Sequence, residues 1–211
     1  MTPQVLVIAK EPIAGRVKTR LSPPCTPQQA AALAAAAFAD TLTTVRRVEA
    51  PRRVLVLEGR PHGDCDGFDV VAQRGDGLAE RLANAFGDAG TPAFLIGMDC
   101  PQMSADLLAA SLNTLELPEY DAVLGPTLDG GYWAVGLKVA GRDNFAGIPM
   151  SSPRTFAAQF ERLLSLGLRV ALLPVLRDVD NYADARAVAR QIPTSKFGVA
   201  VARLERELIH A

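Results

Sequence analysis

"VLVIAKEPIAGRVKTRL" (residues 5–21) joins an unbroken β-branched and aliphatic run to a loop that carries Lys10, Arg16, Lys18 and Arg20 within eleven residues. An apolar run without polar alternation, Val5 to Ala9, is the pattern of a strand buried on both faces, as in a parallel sheet. After the loop, Thr26 and Pro27 supply an N-cap and a proline at the first helical position. The alanine-rich segment beyond them carries Leu33, Phe38, Leu42 and Val45 as a helical stripe. Strand, cationic loop and amphipathic helix make the first half of a βα unit.

The same alternation repeats along the chain. "RRVLVLEG" (52–59) and "FDVVAQ" (68–73) read as strands, and "GLAERLANAFGDAG" (77–90) as a helix closed by Gly87 or Gly90. "AFLIGMD" (93–99) is a fourth strand that ends on Asp99, and Ser104 caps the helix "ADLLAASLNTLEL". "YDAVLGP" and "YWAVGL" follow as strands five and six, separated by a turn too short for a crossover, so this pair should be antiparallel. Ser152 and Pro153 set an N-cap and first helical position for "RTFAAQFERLLSLG", which precedes the strand "LRVALLP". Two last helices run from about Tyr182 to Gln191 and from about Phe197 to Leu208. Strands alternating with helices at this spacing predict a three-layer α/β/α sandwich whose sheet is mostly parallel with one antiparallel strand. Residues 1–211 are expected to form one domain, since the length is that of a single large unit.

Composition narrows the chemistry. Hydrophobic residues make up 49% and charged residues 21%, with a net charge of −1. No apolar run spans a bilayer and no global basicity draws the chain to nucleic acid or membrane, so a cytoplasmic protein is expected. Cys25, Cys65 and Cys100 match no disulfide framework or zinc knuckle and read as reduced thiols. With only His62 and His210 present, Ser-His-Asp, Cys-His and multi-histidine zinc chemistry all lack their parts. Catalysis must rest on carboxylates, cations, backbone amides or a metal.

Ligands of open α/β sheets sit beyond the carboxyl ends of the strands, which selects four loops: the Gly15 loop, "QRGDG" (73–77), "GMDCP" (97–101) and "GPTLDGGY" (125–132). The first combines flexible backbone with lysine point charges and arginine forks, the usual means of holding phosphate oxygens, although a solvated basic loop has the same composition. It has neither P-loop nor GxGxxG spacing. Asp99 closes an apolar strand, where a carboxylate is costly unless it meets a cation, a metal or a turn amide. Asp129 in "LDGG" suits an ordinary tight turn, and Asp178, Asp180 and Asp184 suit a helix start. A basic loop and carboxylates can share one pocket if the ligand is polyanionic and brings a hard cation such as Mg²⁺ or Mn²⁺.

"AKEPIAGRVKTRL", "GMDCP", "GPTLDGGYWAVGL" and "LPVLRDVDNYADA" together resemble the DUF2064 group of bacterial glycosyltransferase-A-type proteins, relatives of the nucleotide-diphospho-sugar transferases. More distantly the plan is similar to the MobA-like, 2-phospholactate guanylyltransferase and CMP-Kdo synthetase nucleotidyltransferases. The resemblance implies that Lys10, Gly15, Lys18 and Arg20 hold nucleotide phosphates, that Asp99 and Asp180 carry the metal, and that Asp129 lies on the acceptor side. Thr19, Gln73 and Gly77 complete the expected nucleotide site, and Lys18, Asp99 and Asp129 are the expected catalytic groups. Asn181 stands where threonine is usual in the group, and Met150 where many relatives have tryptophan.

The expected activity is nucleotidyl transfer from a nucleoside triphosphate to a small phosphorylated acceptor, with Lys18 and Arg20 stabilising the departing pyrophosphate. Glycosyl transfer from a nucleotide-sugar to a hydroxyl, with Asp129 as base, is the alternative, and a non-catalytic nucleotide sensor is a third reading. A homodimer is compatible with the sequence.

Overall fold

The computed structural model describes residues 2–61 and 65–209, so His62 and His210 lie outside the described residues. Seven strands form one sheet: β1 (Gln4–Lys10), β2 (Arg53–Glu58), β3 (Asp69–Ala72), β4 (Ala93–Gly97), β5 (Ala122–Pro126), β6 (Tyr132–Leu137) and β7 (Val170–Leu172). Their spatial order is β3-β2-β1-β4-β6-β5-β7. Every neighbouring pair is parallel except the two that involve β6, which runs antiparallel to both β4 and β5. The antiparallel pair is thus as expected from the short turn, and β6 inserts between β4 and β5 rather than lying at an edge.

Alternate residues of β1 serve different cores, which is why the strand is apolar throughout. Val5, Val7 and Ala9 pack toward one face with Phe38 and Leu42, whereas Leu6 packs toward the other with Leu82 and Phe86. Helices α1 (Pro27–Arg46) and α3 (Ala105–Glu116) cover the first face, and α2 (Leu78–Ala89) and α4 (Thr155–Ser165) the second. A further pair, α5 (Tyr182–Gln191) and α6 (Lys196–Ile209), packs on the outer side of α1 through Leu33, Ala37, Phe197 and Val201. Helix α1 is therefore buried on two sides, and its alanines let both neighbours approach closely without loss of helix propensity.

Local signals set most element ends. Thr26 and Gln29 form a reciprocal capping box at the start of α1, Ser104 caps α3, and Gly90 closes α2 at a positive φ of 82°. Helix α4 departs from expectation: it begins at Thr155, not beside Ser152. The Ser152 hydroxyl accepts from the Arg154 amide at 3.2 Å and the Ser152 amide donates to the Thr155 hydroxyl at 3.1 Å. These bonds stabilise a turn in place of the first helical turn. β4 also stops at Gly97, which leaves Asp99 in the turn beyond the strand.

Candidate active site

The strand order reverses between β1 and β4, so their carboxyl ends open a crevice at the point where open α/β sheets bind ligands. A cleft of about 610 Å³ occupies it, with the loop after β1 along one wall. That loop is anchored at two points. Val17 is buried in the core below α1, and Leu21, at the end of a 3-10 turn (Thr19–Leu21), is fully buried among Cys25, Leu33 and the α5–α6 pair. Between these anchors, Lys18 takes a left-handed backbone at φ 48°. Ser151, the other non-glycine residue in that region among the described residues, also lines the cleft. Strain of this kind persists where the surroundings over-determine the backbone, commonly at functional sites.

The acidic side of the site arrives from two distant segments that the backbone ties together. Past β7, the chain runs beside the end of β5, with the Leu176 amide donating to Pro126 and the Leu128 amide to Leu176. The Val179 amide then donates to the Asp99 carbonyl at 2.9 Å, and the Gln102 amide nitrogen donates to the Arg177 carbonyl at 2.5 Å. Asp178 and Asp180 are delivered beside Asp99 by this ladder. Arg177 pairs with Asp184 at 2.7 Å, and Asn181 caps α5 by accepting from the Asp184 amide at 3.1 Å. Asparagine is among the strongest N-caps, so this bond fixes the start of α5.

Cations and carboxylates meet directly. The Lys18 ammonium, 13% exposed, lies 2.6 Å from Asp99 Oδ1 and also donates to the Val179 carbonyl. Arg20 donates to Asp180 Oδ2. Lys10 stands 3.3 Å from Glu58, whose other partner is Arg81. Burial opposes ionisation of Glu58, but Arg81 and Lys10 together hold its carboxyl below the usual range. Arg16 is exposed, and its guanidinium has no side-chain partner among the described residues. Counting the lining side chains among the described residues, Lys10, Arg16, Lys18, Arg20 and Arg81 face two carboxylates, Asp99 and Asp180. The cleft is net positive although the chain is net negative.

Most expected site residues converge here. Lys10, Lys18, Thr19, Arg20, Gln73, Gly77, Asp99 and Asp180 line the cleft. Gly15 does not; at φ 78° it turns the loop instead, with open space around it. Gln73 is partly engaged elsewhere, donating to the carbonyls of Ala9 at 2.7 Å and Val56 at 3.2 Å, which pins the ends of β1 and β2. Asp129 lines an adjoining cavity of about 230 Å³ that shares Asp99 and Ser151 with the cleft. Its Oδ1 accepts from the Thr127 hydroxyl at 2.6 Å and the Gly131 amide at 2.8 Å, the tight-turn role its sequence also allows. Trp133 is 4% exposed in one core and donates its indole N–H to the Pro174 carbonyl, while Tyr132 packs, partly buried, against the other core.

Three lining residues escape the expected set. Arg16 carried a signal, since it belongs to the cationic run, and Asp178 stands two residues before Asp180. Arg81 had no local signal, because it reaches the cleft from one turn inside α2. Asp178 is half-buried, and its carboxyl is pushed up to about 6, first by burial and then by the Asp129 carboxylate, with Lys18 opposing. Burial, with the Asp99 and Asp178 carboxylates nearby, pushes the Cys100 thiol well above its usual range.

The donor set fits a hard divalent cation in one specific way. Among the described residues no three His, Cys, Asp or Glu side chains stand close enough to hold an ion. Asp99 and Asp180 could contribute two oxygen ligands, with phosphate oxygens and water for the rest, the usual pattern for Mg²⁺.

No curated protein matches the chain. The crystal structure of a protein from Desulfovibrio desulfuricans G20, provisionally named a nucleotide-diphospho-sugar transferase, is similar over 98% of this chain and 96% of its own, with TM-score 0.86 and 27% identity. The structure of CMP:2-keto-3-deoxy-manno-octonic acid synthetase complexed with CTP shares the fold at TM-score 0.56 and 12% identity, covering 89% of this chain and 97% of its own. Rv0371c from Mycobacterium tuberculosis H37Rv, in complex with manganese, does so at TM-score 0.54 and 21% identity, covering 89% and 98%. Residues 28–152, more than half of the chain and including Asp99 and Asp129, match the family described as "Uncharacterized protein conserved in bacteria (DUF2064)". With the βα plan, the "GMDCP" turn and the "LDGG" hairpin all in place, the chain belongs to the DUF2064 family.

Proposed function

We propose that the protein is a metal-dependent transferase whose donor is a nucleotide or nucleotide-sugar held by its polyphosphate in the large cleft. One observation carries this reading: the cationic loop after β1 and the carboxylates Asp99 and Asp180 edge a single cleft. Lys18, Arg20, Arg16 and Lys10 would bind phosphate oxygens, Lys18 as a partly buried point charge and the arginines as forks. Asp99 and Asp180 would hold Mg²⁺ or Mn²⁺, which when bound neutralises phosphate charge and stabilises the leaving group. Thr19 and Gly77 flank the phosphates, and Gln73 fixes the strand ends beneath them. The neighbouring structures whose names specify a nucleotide-sugar transferase and a CTP-bound synthetase support a donor of this class.

Two transfers are compatible with this donor site. In nucleotidyl transfer an acceptor phosphate oxygen bonds to the α-phosphorus and pyrophosphate departs with the electron pair. In glycosyl transfer an acceptor hydroxyl bonds to the anomeric carbon, the nucleoside diphosphate departs, and the hydroxyl proton passes to a carboxylate. Thermal melts with nucleoside triphosphates and nucleotide-sugars, with and without Mg²⁺ or Mn²⁺, test the common core, because a bound ligand raises the Tm. Metal-dependent stabilisation is expected. A Tm that ignores every nucleotide refutes the donor site, and binding without turnover on any acceptor would identify a sensor.

A further inference from the structure

We infer that the smaller cavity beside Asp99 is the acceptor subsite and that it selects an uncharged, hydroxyl-bearing acceptor, a sugar or polyol, over a phosphorylated one; the inference rests on the nucleotide-donor reading above. The cavity opens onto the donor cleft at Asp99, Ser151 and Tyr132, so a molecule seated in it would meet the donor's reactive end. Its volume of about 230 Å³ equals that of about eight liquid waters at ~30 Å³ each, which suits a small molecule and not a second nucleotide.

Charge is what separates the two cavities. The donor cleft is lined by five cations, whereas the smaller cavity is lined by Asp99, Asp129 and Asp178 and, among the described residues, by no lysine or arginine. Two cations reach it only by their fields, Lys18 acting on Asp178 and Arg20 on Asp129, and each is already paired at the cleft edge, Lys18 with Asp99 and Arg20 with Asp180. A phosphate dianion placed there would face carboxylates at short range, the arrangement by which sites reject wrong partners. A divalent ion on Asp99 and Asp180 would have its charge taken up by those groups and by the donor.

The same walls suit hydroxyls. Asp129 Oδ1 accepts from Thr127 and Gly131, while its Oδ2 has no protein donor among the described residues. Among the described residues, Asp178 receives only its own backbone amide. Two carboxylates with open acceptor capacity, neither in a salt bridge among the described residues, are complementary to vicinal hydroxyl donors. Tyr132 and Met150 supply an apolar side against which ring carbons can pack. Met150, which stands where many relatives have tryptophan, thus falls in the subsite. In the transfer step the acceptor oxygen bonds to the donor's anomeric carbon, the bond from that carbon to the diphosphate breaks with its electron pair on the leaving group, and the hydroxyl proton goes to an Asp129 or Asp178 oxygen.

Saturation-transfer NMR tests this directly. The full-length protein is mixed with Mg²⁺, with UDP, CDP or GDP, and with D-glucose, D-mannose, glycerol or myo-inositol beside the monophosphate of each. Neutral compounds should show at least about fivefold stronger transfer than their monophosphates. The double substitution Asp129→Asn with Asp178→Asn should narrow that preference severalfold, and Asp178→Asn alone should narrow it in part if the double variant folds poorly. Nucleotide binding is read in the same samples from the Tm. Monophosphates binding as well as the neutral compounds, no transfer to any neutral compound with nucleotide bound, or an unchanged preference in the variants would overturn the inference. A Tm indifferent to every nucleotide would instead overturn the donor reading on which it rests.

Discussion

Replacing Lys18 with methionine should strengthen metal binding while weakening nucleotide binding, an outcome specific to the geometry of this site. Lys18 sits on the carboxylate oxygen that a divalent ion would use, 2.6 Å from Asp99 Oδ1, with its side chain only 13% exposed. A metal that binds alone must first displace it. A charge-assisted hydrogen bond in this setting contributes about 2 kcal/mol, which corresponds to about 30-fold in metal affinity. Arg20 imposes a smaller barrier on Asp180 in the same way, because that pair is largely exposed and screened. A nucleotide polyphosphate offers both cations new partners and frees both carboxylates, so metal and nucleotide should bind cooperatively. By linkage each then tightens the other by the same factor. The assay is a Mn²⁺ titration followed by electron paramagnetic resonance, with and without a saturating nucleoside diphosphate. The native protein should bind Mn²⁺ about 30-fold more tightly when nucleotide is present. Lys18→Met should bind Mn²⁺ alone at least about tenfold more tightly than the native protein and should lose most of the coupling. Equal Mn²⁺ affinity with and without nucleotide in the native protein, or weaker Mn²⁺ binding by Lys18→Met, would refute the reasoning.

Asp99→Asn should remove metal-dependent stabilisation in thermal melts with nucleotide, since a hard cation loses a charged ligand; a metal response equal to the native one would exclude Asp99 from the metal site. Leu21→Ala should cost about 2–5 kcal/mol in urea unfolding, because Leu21 is fully buried, and should also weaken nucleotide binding by loosening the loop it anchors. If stability falls and affinity does not, the loop does not depend on that anchor. Hydrogen bonds from Arg169 hold the Asp121 carboxyl at about 2, below its usual value. This depressed folded-state pKa supplies stability that is present above about pH 4 and fades as the pH falls toward 2. Asp121→Asn should therefore melt lower than the native protein at pH 7, by at most about 3 °C for so exposed a pair, with the gap closing below pH 4; a gap that persists in acid would mean Asp121 acts through packing.

How far the sequence reaches is visible element by element. Strand β1 was legible because burial on both faces requires an unbroken apolar run, and α1 and α3 because their caps are local hydrogen bonds between residues three apart. The start of α4 was not, because Ser152 can cap a helix or hold a turn and the packing decides: a Cβ at Gly130 would lie 2.1 Å from the Pro153 carbonyl, so the hairpin backbone is pressed against this turn. The site divides in the same way. The cationic loop shows as a run of charges, and Asp180 was reached through the resemblance of its segment to a metal-binding signature. Asp178 was visible only as an acid suited to a helix start, and Arg81 not at all, since the cavity that each one lines is assembled from distant segments.

The sequence by itself determined the alternation of strands and helices, the antiparallel hairpin of β5 and β6 and the presence of a concentrated positive charge after β1, because periodicity, turn length and charge are properties of neighbouring residues. Only the tertiary structure decided that β6 lies between β4 and β5, that the segment after β7 is hydrogen bonded to the Asp99 turn, and that Lys18 and Arg20 lie on Asp99 and Asp180. Those outcomes depend on contacts between residues far apart in the chain, from Ile96 and Ala134 at 38 positions to Lys18 and Val179 at 161, and such contacts form only when the sheet has closed around its two cores.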